Sequence, residues 1–160
     1  MDFEKKFLSW EEFYKMINKI AKDIEKDNIK IDVLVPILKG GFIPSMFLDK
    51  HLNIDKHAFI HTRSSDSNLS NCDFHTPAFL GITNKKLIKN SNILIVDDVI
   101  ATGNTLNLVL NKIQKLNPKN ICICSLYNYY DSQIKIYSGN NSKPKEKWII
   151  FPWDYESEYK

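Results

Sequence analysis

The sequence predicts an α/β domain in three layers, a mostly parallel sheet with helices on both faces. Three observations carry that prediction. The apolar runs Ile31–Leu38 and Ile93–Val96 have strand length and the near-continuous hydrophobicity of strands covered on both sides. Segments with apolar residues at helical spacing alternate with such runs, and strands joined by crossover helices lie parallel. The length, 160 residues, fits one domain with a core that needs no staple.

The elements follow in order. Ser9 with Glu12 three residues on is a capping-box signature, and Phe13, Ile17, Ile20, Ala21 and Ile24 then recur at helical spacing, so residues 10–26 form an amphipathic helix. The strand 31–38 ends in Lys39-Gly40-Gly41, and a short helix runs from Phe42 to His51 with Pro44 in its first turn, where proline is tolerated. Residues 55–62 alternate weakly and read as a second strand. From Arg63 to Asn92 the pattern gives way to Ser, Asn, Asp and Thr, a connection of the length that serves as a functional loop or stays unstructured. Ile93–Val96 is the next buried strand, and Asp97-Asp98 leads into Thr102-Gly103-Asn104-Thr105. Leu106, Val109, Leu110 and Ile113 mark a helix ending near Asn117-Pro118. Residues 119–127 form another strand, a polar stretch follows, and Trp148–Phe151 is a short terminal strand.

Composition narrows the function. Twenty-two basic and 19 acidic side chains leave a net charge of +3, no electrostatic footprint for nucleic acid. No apolar run approaches the roughly 18 residues of a membrane span, and the lysines of MDFEKKF precede no apolar stretch of a secretory signal. The three cysteines, Cys72, Cys122 and Cys124, have neither disulfide-framework nor metal-ligand spacing, so the expected compartment is the cytoplasm. Arg63 is the only arginine among many lysines, and with the abundant Asn and Ile this reads as coding bias.

Gly40, Gly41 and Gly103 sit just after predicted strands and at the mouths of helices, which is where open α/β sheets bind ligands. A helix opened there offers free N–H groups and a positive dipole end to an anion, and glycine lets the backbone approach. Either loop alone could be an ordinary tight turn. Asp97-Asp98 is harder to read as packing, because ionised carboxylates at the end of a buried strand need partners, such as sugar hydroxyls or a divalent cation. A two-component receiver domain also pairs acids after a strand, but near its start and with a later strand-end aspartate and lysine that this sequence lacks.

ILIVDDVIATGNT, residues 93–105, resembles the phosphoribosyl-pyrophosphate (PRPP) motif of the type I phosphoribosyltransferases. VPILKGGFIPSMFLDKHLNI is similar to that family's pyrophosphate loop and following helix, and WIIFPWDYE to the ending of xanthine-guanine phosphoribosyltransferases. The resemblance implies a single phosphoribosyltransferase domain over residues 1–160, with a flexible lid at about 63–91 and a small hood formed by 128–160 and the N-terminal segment. The implied reaction joins a purine base, with guanine, xanthine or hypoxanthine first in line, to the 5-phosphoribosyl group of PRPP, releasing pyrophosphate. The implied cofactor is Mg²⁺ and the implied assembly a homodimer or homotetramer.

By the same resemblance, Asp97 and Asp98 hold the ribose hydroxyls directly or through Mg²⁺, and Ala101, Thr102, Gly103, Asn104 and Thr105 cradle the 5-phosphate. Lys39, Gly40, Gly41 and Arg63 take the pyrophosphate, Trp148 stacks on the base, and the Ile149 backbone reads its edge. Lys85 and Lys86 lie in the lid. Two positions depart from the 6-oxopurine enzymes. Ala101 stands where they carry an aspartate near N7, and Tyr129, or Asn128 in a shifted register, where they carry a lysine for the 6-oxygen. Tyr129 and Tyr130 could bond a base or simply pack. These departures keep open a different base, adenine or a pyrimidine, and a PRPP-binding regulator without transfer.

Overall fold

The computed structural model describes residues 4–63, 77–141 and 147–154. Three helices, α1 (Trp10–Lys26), α2 (Phe42–Leu52) and α3 (Asn104–Ile113), accompany strands β1 (Glu4–Phe7), β2 (Val33–Leu38), β3 (Ile60–Arg63), β4 (Ala78–Ile82), β5 (Asn92–Ile100), β6 (Asn120–Asn128), β7 (Ile136–Asn140) and β8 (Lys147–Ile150). Six of the strands form one sheet in the order β4-β3-β2-β5-β6-β7, and β1 and β8 form a separate pair. Every pairing is parallel except β3 with β4.

The alternation of strand side chains builds the three layers. Leu34 of β2, Leu94 and Val96 of β5, and Cys122 and Cys124 of β6 meet Phe13, Ile17, Ile20 and Ile24 of α1 and Leu48 of α2. Their odd-even neighbours, Val33, Val35, Ile37, Ile93, Ile95 and Ile123, meet Leu106, Val109, Leu110 and Ile113 of α3 on the other face. Each such side chain contributes about 1.5–3 kcal/mol by leaving water, so strands buried on both faces hold the sheet together. Cys122 and Cys124 share one face as small free thiols, and burial pushes both up from the usual thiol range.

The capping box at Ser9 is formed. Ser9 Oγ accepts the Glu12 N–H at 3.1 Å, and the Glu12 carboxylate accepts the Ser9 N–H at 2.8 Å. At its other end α1 is tied to β7, because the Tyr137 hydroxyl donates to Asp27 at 2.6 Å and Lys135 pairs with the same carboxylate. Part of the asparagine content also has a local cause. The described non-glycine residues with positive φ are Asn28, Asn53, Asn84, Asn90 and Asn117, in the left-handed conformation that asparagine tolerates best after glycine.

Three strands were not expected from the sequence. β4 lies inside the polar segment 63–91, where its AFLGI run pairs antiparallel with β3, so that connection is not wholly irregular. β7 lies parallel to β6 after only residues 129–135, far short of the dozen or more residues a parallel crossover usually takes. β1 is charged, and its strand form comes from pairing with β8, Glu4 opposite Lys147 through Phe7 opposite Ile150. The strand expected at 55–62 is confined to Ile60–Arg63, and of the earlier residues His57 only bridges Leu34. β5 runs on to Ile100 and therefore contains the acid pair, because β6 continues beside it as far as Asn128.

Candidate functional site

The central strands β2 and β5 run parallel, so their carboxyl ends open on one edge of the sheet, and the loops to α2 and α3 leave from it. Lys39, Gly40 and Gly41 follow β2, and the Leu38–Lys39 peptide is cis. Leu38 lies opposite His61 of β3, which carries Arg63 two residues further along the same edge. Lys39 and Arg63 are both exposed, two cations flanking the loop.

Gly40 and Gly41 are glycines because of what lies against them. A Cβ on Gly40 would stand 2.5 Å from Asp98 Oδ2, and one on Gly41 would stand 2.9 Å from the Ile37 carbonyl oxygen. The loop after β2 is thus packed directly on the Asp98 carboxylate. Asp97 and Asp98 are themselves held by backbone donors. The Asp98 N–H donates to Asp97 Oδ1 at 3.0 Å, and the Val99 N–H to Asp98 Oδ1 at 2.7 Å.

Burial disfavours charge on both acids. It pushes Asp97 well above the usual carboxylate range, with the Asp98 charge adding to the effect. Asp98 is raised by burial, held back by the Val99 N–H, and raised further by the charge of Asp154. Two adjacent acids in this state take up positive charge readily, as protons or as a cation.

Gly103 opens α3 with φ 78°, a left-handed turn that glycine adopts without strain. Gly103 has no side chain to cap this helix, and among the described residues only Thr102 Oγ1, accepting the Asn104 N–H at 3.4 Å, reaches a first-turn N–H group. Ala101, Thr102 and Asn104 are exposed and Thr105 half-buried, while Gly103 lies under the Tyr130 ring, 2.6 Å from where its Cβ would be. The Tyr130 hydroxyl accepts from Asn107 Nδ2 at 3.1 Å, which fixes that ring over the turn.

The end of β6 closes the site from the other side. The Tyr129 N–H donates to the Ile100 carbonyl at 2.8 Å, tying the residue to the end of the acid strand. The β1–β8 pair comes in here. Tyr127 lies 6.4 Å from Phe151 and 6.1 Å from Tyr129 between ring centroids, with Lys6 Nζ 5.9 Å from the Tyr127 ring. Ile149 is half-buried against the α1 side of the core, and Trp148 is 53% exposed. The turn at 152–154 brings Asp154 within electrostatic reach of Asp98. Asp154 is a site neighbour that the sequence reading did not assign, and Tyr130, left open there between bonding a base and packing, packs over Gly103. The first lay within the WIIFPWDYE ending, whereas nothing in the sequence signals Tyr130 lying over Gly103.

An acid pair between two glycine-opened helices, at the carboxyl edge of a parallel sheet, defines an α/β protein built to hold an anionic, hydroxyl-bearing ligand. The chain belongs to the phosphoribosyl transferase domain family, whose model matches residues 5–160. It is similar to the human phosphoribosyltransferase domain-containing protein 1, 32% identical over 69% of this chain, of which it spans about half (52%). It is 28% identical to hypoxanthine phosphoribosyltransferase of Buchnera aphidicola over 88% of this chain and 80% of that one. Among solved structures, the purine phosphoribosyltransferase of Pyrococcus horikoshii matches with a TM-score of 0.72 and 28% identity, covering 94% of this chain and 93% of that one. The Helicobacter pylori xanthine-guanine-hypoxanthine enzyme shares the fold at a TM-score of 0.71 and 23% identity, over 98% and 97% of the two chains. Among the described residues no helix is long and apolar enough to cross a membrane.

Proposed function

We propose that this chain transfers the 5-phosphoribosyl group of PRPP to a 6-oxopurine, guanine, xanthine or hypoxanthine, giving the nucleoside monophosphate and pyrophosphate in purine salvage. The observation that carries the reading is the Asp98 carboxylate packed on Gly40, which joins the acid pair and the loop after β2 into one surface. Asp97 and Asp98 hold the ribose hydroxyls. The loop Ala101, Thr102, Gly103, Asn104 and Thr105 takes the 5-phosphate with N–H groups and hydroxyls at the start of α3. Lys39, Gly40, Gly41 and Arg63 receive the pyrophosphate, and Trp148, Ile149 and Tyr129 bound the base.

The donor set fits Mg²⁺. Two half-buried carboxylates supply hard oxygen ligands, and among the described residues no cluster of three or more His, Cys, Asp or Glu forms a cage. Mg²⁺ is commonly bound by one or two carboxylates together with substrate phosphates. When bound it neutralises charge on the phosphates. The protein's part is positional. Departure of pyrophosphate leaves positive charge on the sugar, which carboxylates at the ribose stabilise while Lys39 and Arg63 receive the leaving group. That sugar cation also reacts with water, which gives a lid its purpose, and of the lid proposed at 63–91 the stretch 78–91 is tied to the sheet through β4 and the buried Ile88. Residues 64–76 of it lie outside the described residues. The hood is proposed to comprise 128–160 with the N-terminal segment, the assembly to be a homodimer or homotetramer, and the compartment the cytoplasm.

The test is pyrophosphate release from PRPP and Mg²⁺ with guanine, xanthine, hypoxanthine, adenine, uracil and orotate. Turnover with a 6-oxopurine is expected. Turnover with adenine or a pyrimidine alone moves the assignment to that base. Silence across the panel with PRPP still bound replaces the enzyme by a PRPP-binding regulator, the reading that Ala101, which carries no proton to move, otherwise favours.

A further inference from the structure

The turn that opens α3 is gripped at both ends by consecutive residues from the end of β6. The Tyr129 N–H donates to the Ile100 carbonyl at 2.8 Å, just ahead of the turn. The Tyr130 ring lies over Gly103, 2.6 Å from where a Cβ there would stand, and Gly103 is buried while Thr102 and Asn104 on either side of it are exposed. Asn107 closes the grip from α3. Its N–H donates to the Gly103 carbonyl at 2.8 Å, and its Nδ2 donates to the Tyr130 hydroxyl at 3.1 Å. Tyr130 is fixed from its own side as well, because its N–H donates to Asn128 Oδ1 at 3.1 Å and its ring packs against the α3 face of the core.

We propose that Tyr130 is a positioning residue for the sugar-phosphate end of the substrate: latched by Asn107, it holds residues 100–105 in the one turn that offers N–H groups and hydroxyls to a phosphate. This rests on the phosphoribosyl-transfer reading, and it gives Tyr130 no contact with the base. Gly103 is the residue most in need of holding, since glycine reaches a φ of 78° no more readily than many other conformations. Ordering one free backbone residue costs roughly tenfold in affinity by entropy alone. A turn held ready before the ligand arrives therefore binds a phosphate more tightly without any added contact.

The test is calorimetric binding of two probes: ribose 5-phosphate, which carries the sugar phosphate alone, and pyrophosphate with Mg²⁺, which addresses the loop after β2 instead. Tyr130→Ala should weaken ribose 5-phosphate about tenfold or more and leave pyrophosphate unchanged. Tyr130→Phe keeps the ring and loses the latch, so it and Asn107→Ala should each weaken ribose 5-phosphate about threefold, and the double variant no further. In turnover, Tyr130→Ala should raise the KM for PRPP by more than it lowers kcat, with the KM for the base unchanged. Unaltered ribose 5-phosphate binding in Tyr130→Ala, or equal weakening of both probes, overturns the proposal and assigns Tyr130 to packing, while leaving transfer intact. If Tyr130→Ala fails to fold, the cycle of Tyr130→Phe with Asn107→Ala decides: a shared, non-additive loss supports the proposal, and additive losses or none overturn it. If the wild type binds ribose 5-phosphate but releases no pyrophosphate with any base, the transfer reading falls and the same variants still decide on Tyr130. A wild type that binds no ribose 5-phosphate ends the proposal.

Discussion

Gly40→Ala tests the site through its tightest contact. The added methyl would stand 2.5 Å from Asp98 Oδ2, whereas an ordinary contact is 3.4 Å or more, so one of the two must yield by about 1 Å. The Gly40 loop is backed by Gly41, whose N–H donates to the Ile37 carbonyl at 2.8 Å, so the carboxylate is the part that moves. Its retreat breaks the 2.7 Å bond from Val99 and shifts the oxygens that would face the ribose. A misplacement of that size costs on the order of a hundredfold in rate, or about 2.7 kcal/mol of transition-state stabilisation. The melting temperature should fall as well, by roughly 2–4 °C or more, because the Val99 N–H loses its partner. Pyrophosphate release, run with Gly40→Ala, Asp98→Ala and the double variant, closes a cycle. If Gly40 acts through Asp98, the methyl adds almost nothing once the carboxylate is gone. Near wild-type turnover in Gly40→Ala, or fully additive losses, would refute the reasoning.

Three further outcomes are expected. Asp98→Ala should lower kcat/KM by about a hundredfold or more, and near-normal turnover there would remove the acid pair from the mechanism. The raised pKa of Asp97 means that its contribution to the fold is fully present below about pH 4, its unfolded value, and is lost as pH rises through the folded value. Asp97→Asn should therefore gain stability over the wild type at pH 7 but not at pH 4 in thermal melts, while activity falls. Gly103→Ala combines a φ of 78° with a methyl 2.6 Å from the Tyr130 ring, and should cost about 1–3 kcal/mol, read as a lower melting temperature and a raised KM for PRPP.

What the sequence revealed follows from where the information is local. The capping box, the periodicity of α1 and the runs of β2 and β5 are each written within a few residues, and each formed. β1 and β7 are written elsewhere: the first takes its shape from β8 and the second from α1 and β6, so their own residues give little sign of a strand. β4 hides in a polar stretch because an edge strand needs only a short apolar run. The same division holds at the site. The loops after β2 and β5 announce themselves by glycines and paired acids. The approach of Asp154 to Asp98 and of Tyr130 to Gly103 depends on how separate elements dock, which no spacing encodes.

The parallel pairing of β1 with β8 carries a consequence for how the chain is made. On the ribosome, β1 emerges ahead of every helix described here, yet the strand that completes it emerges after all of them. At ordinary synthesis rates that interval is on the order of ten seconds. During it the acid strand, the loop after β2 and the start of α3 can assemble around an already closed parallel core, while β1 waits for the strand it pairs with. The end of the site proposed for the base is therefore finished last, and a chain halted before residue 147 would present the sugar-phosphate half alone.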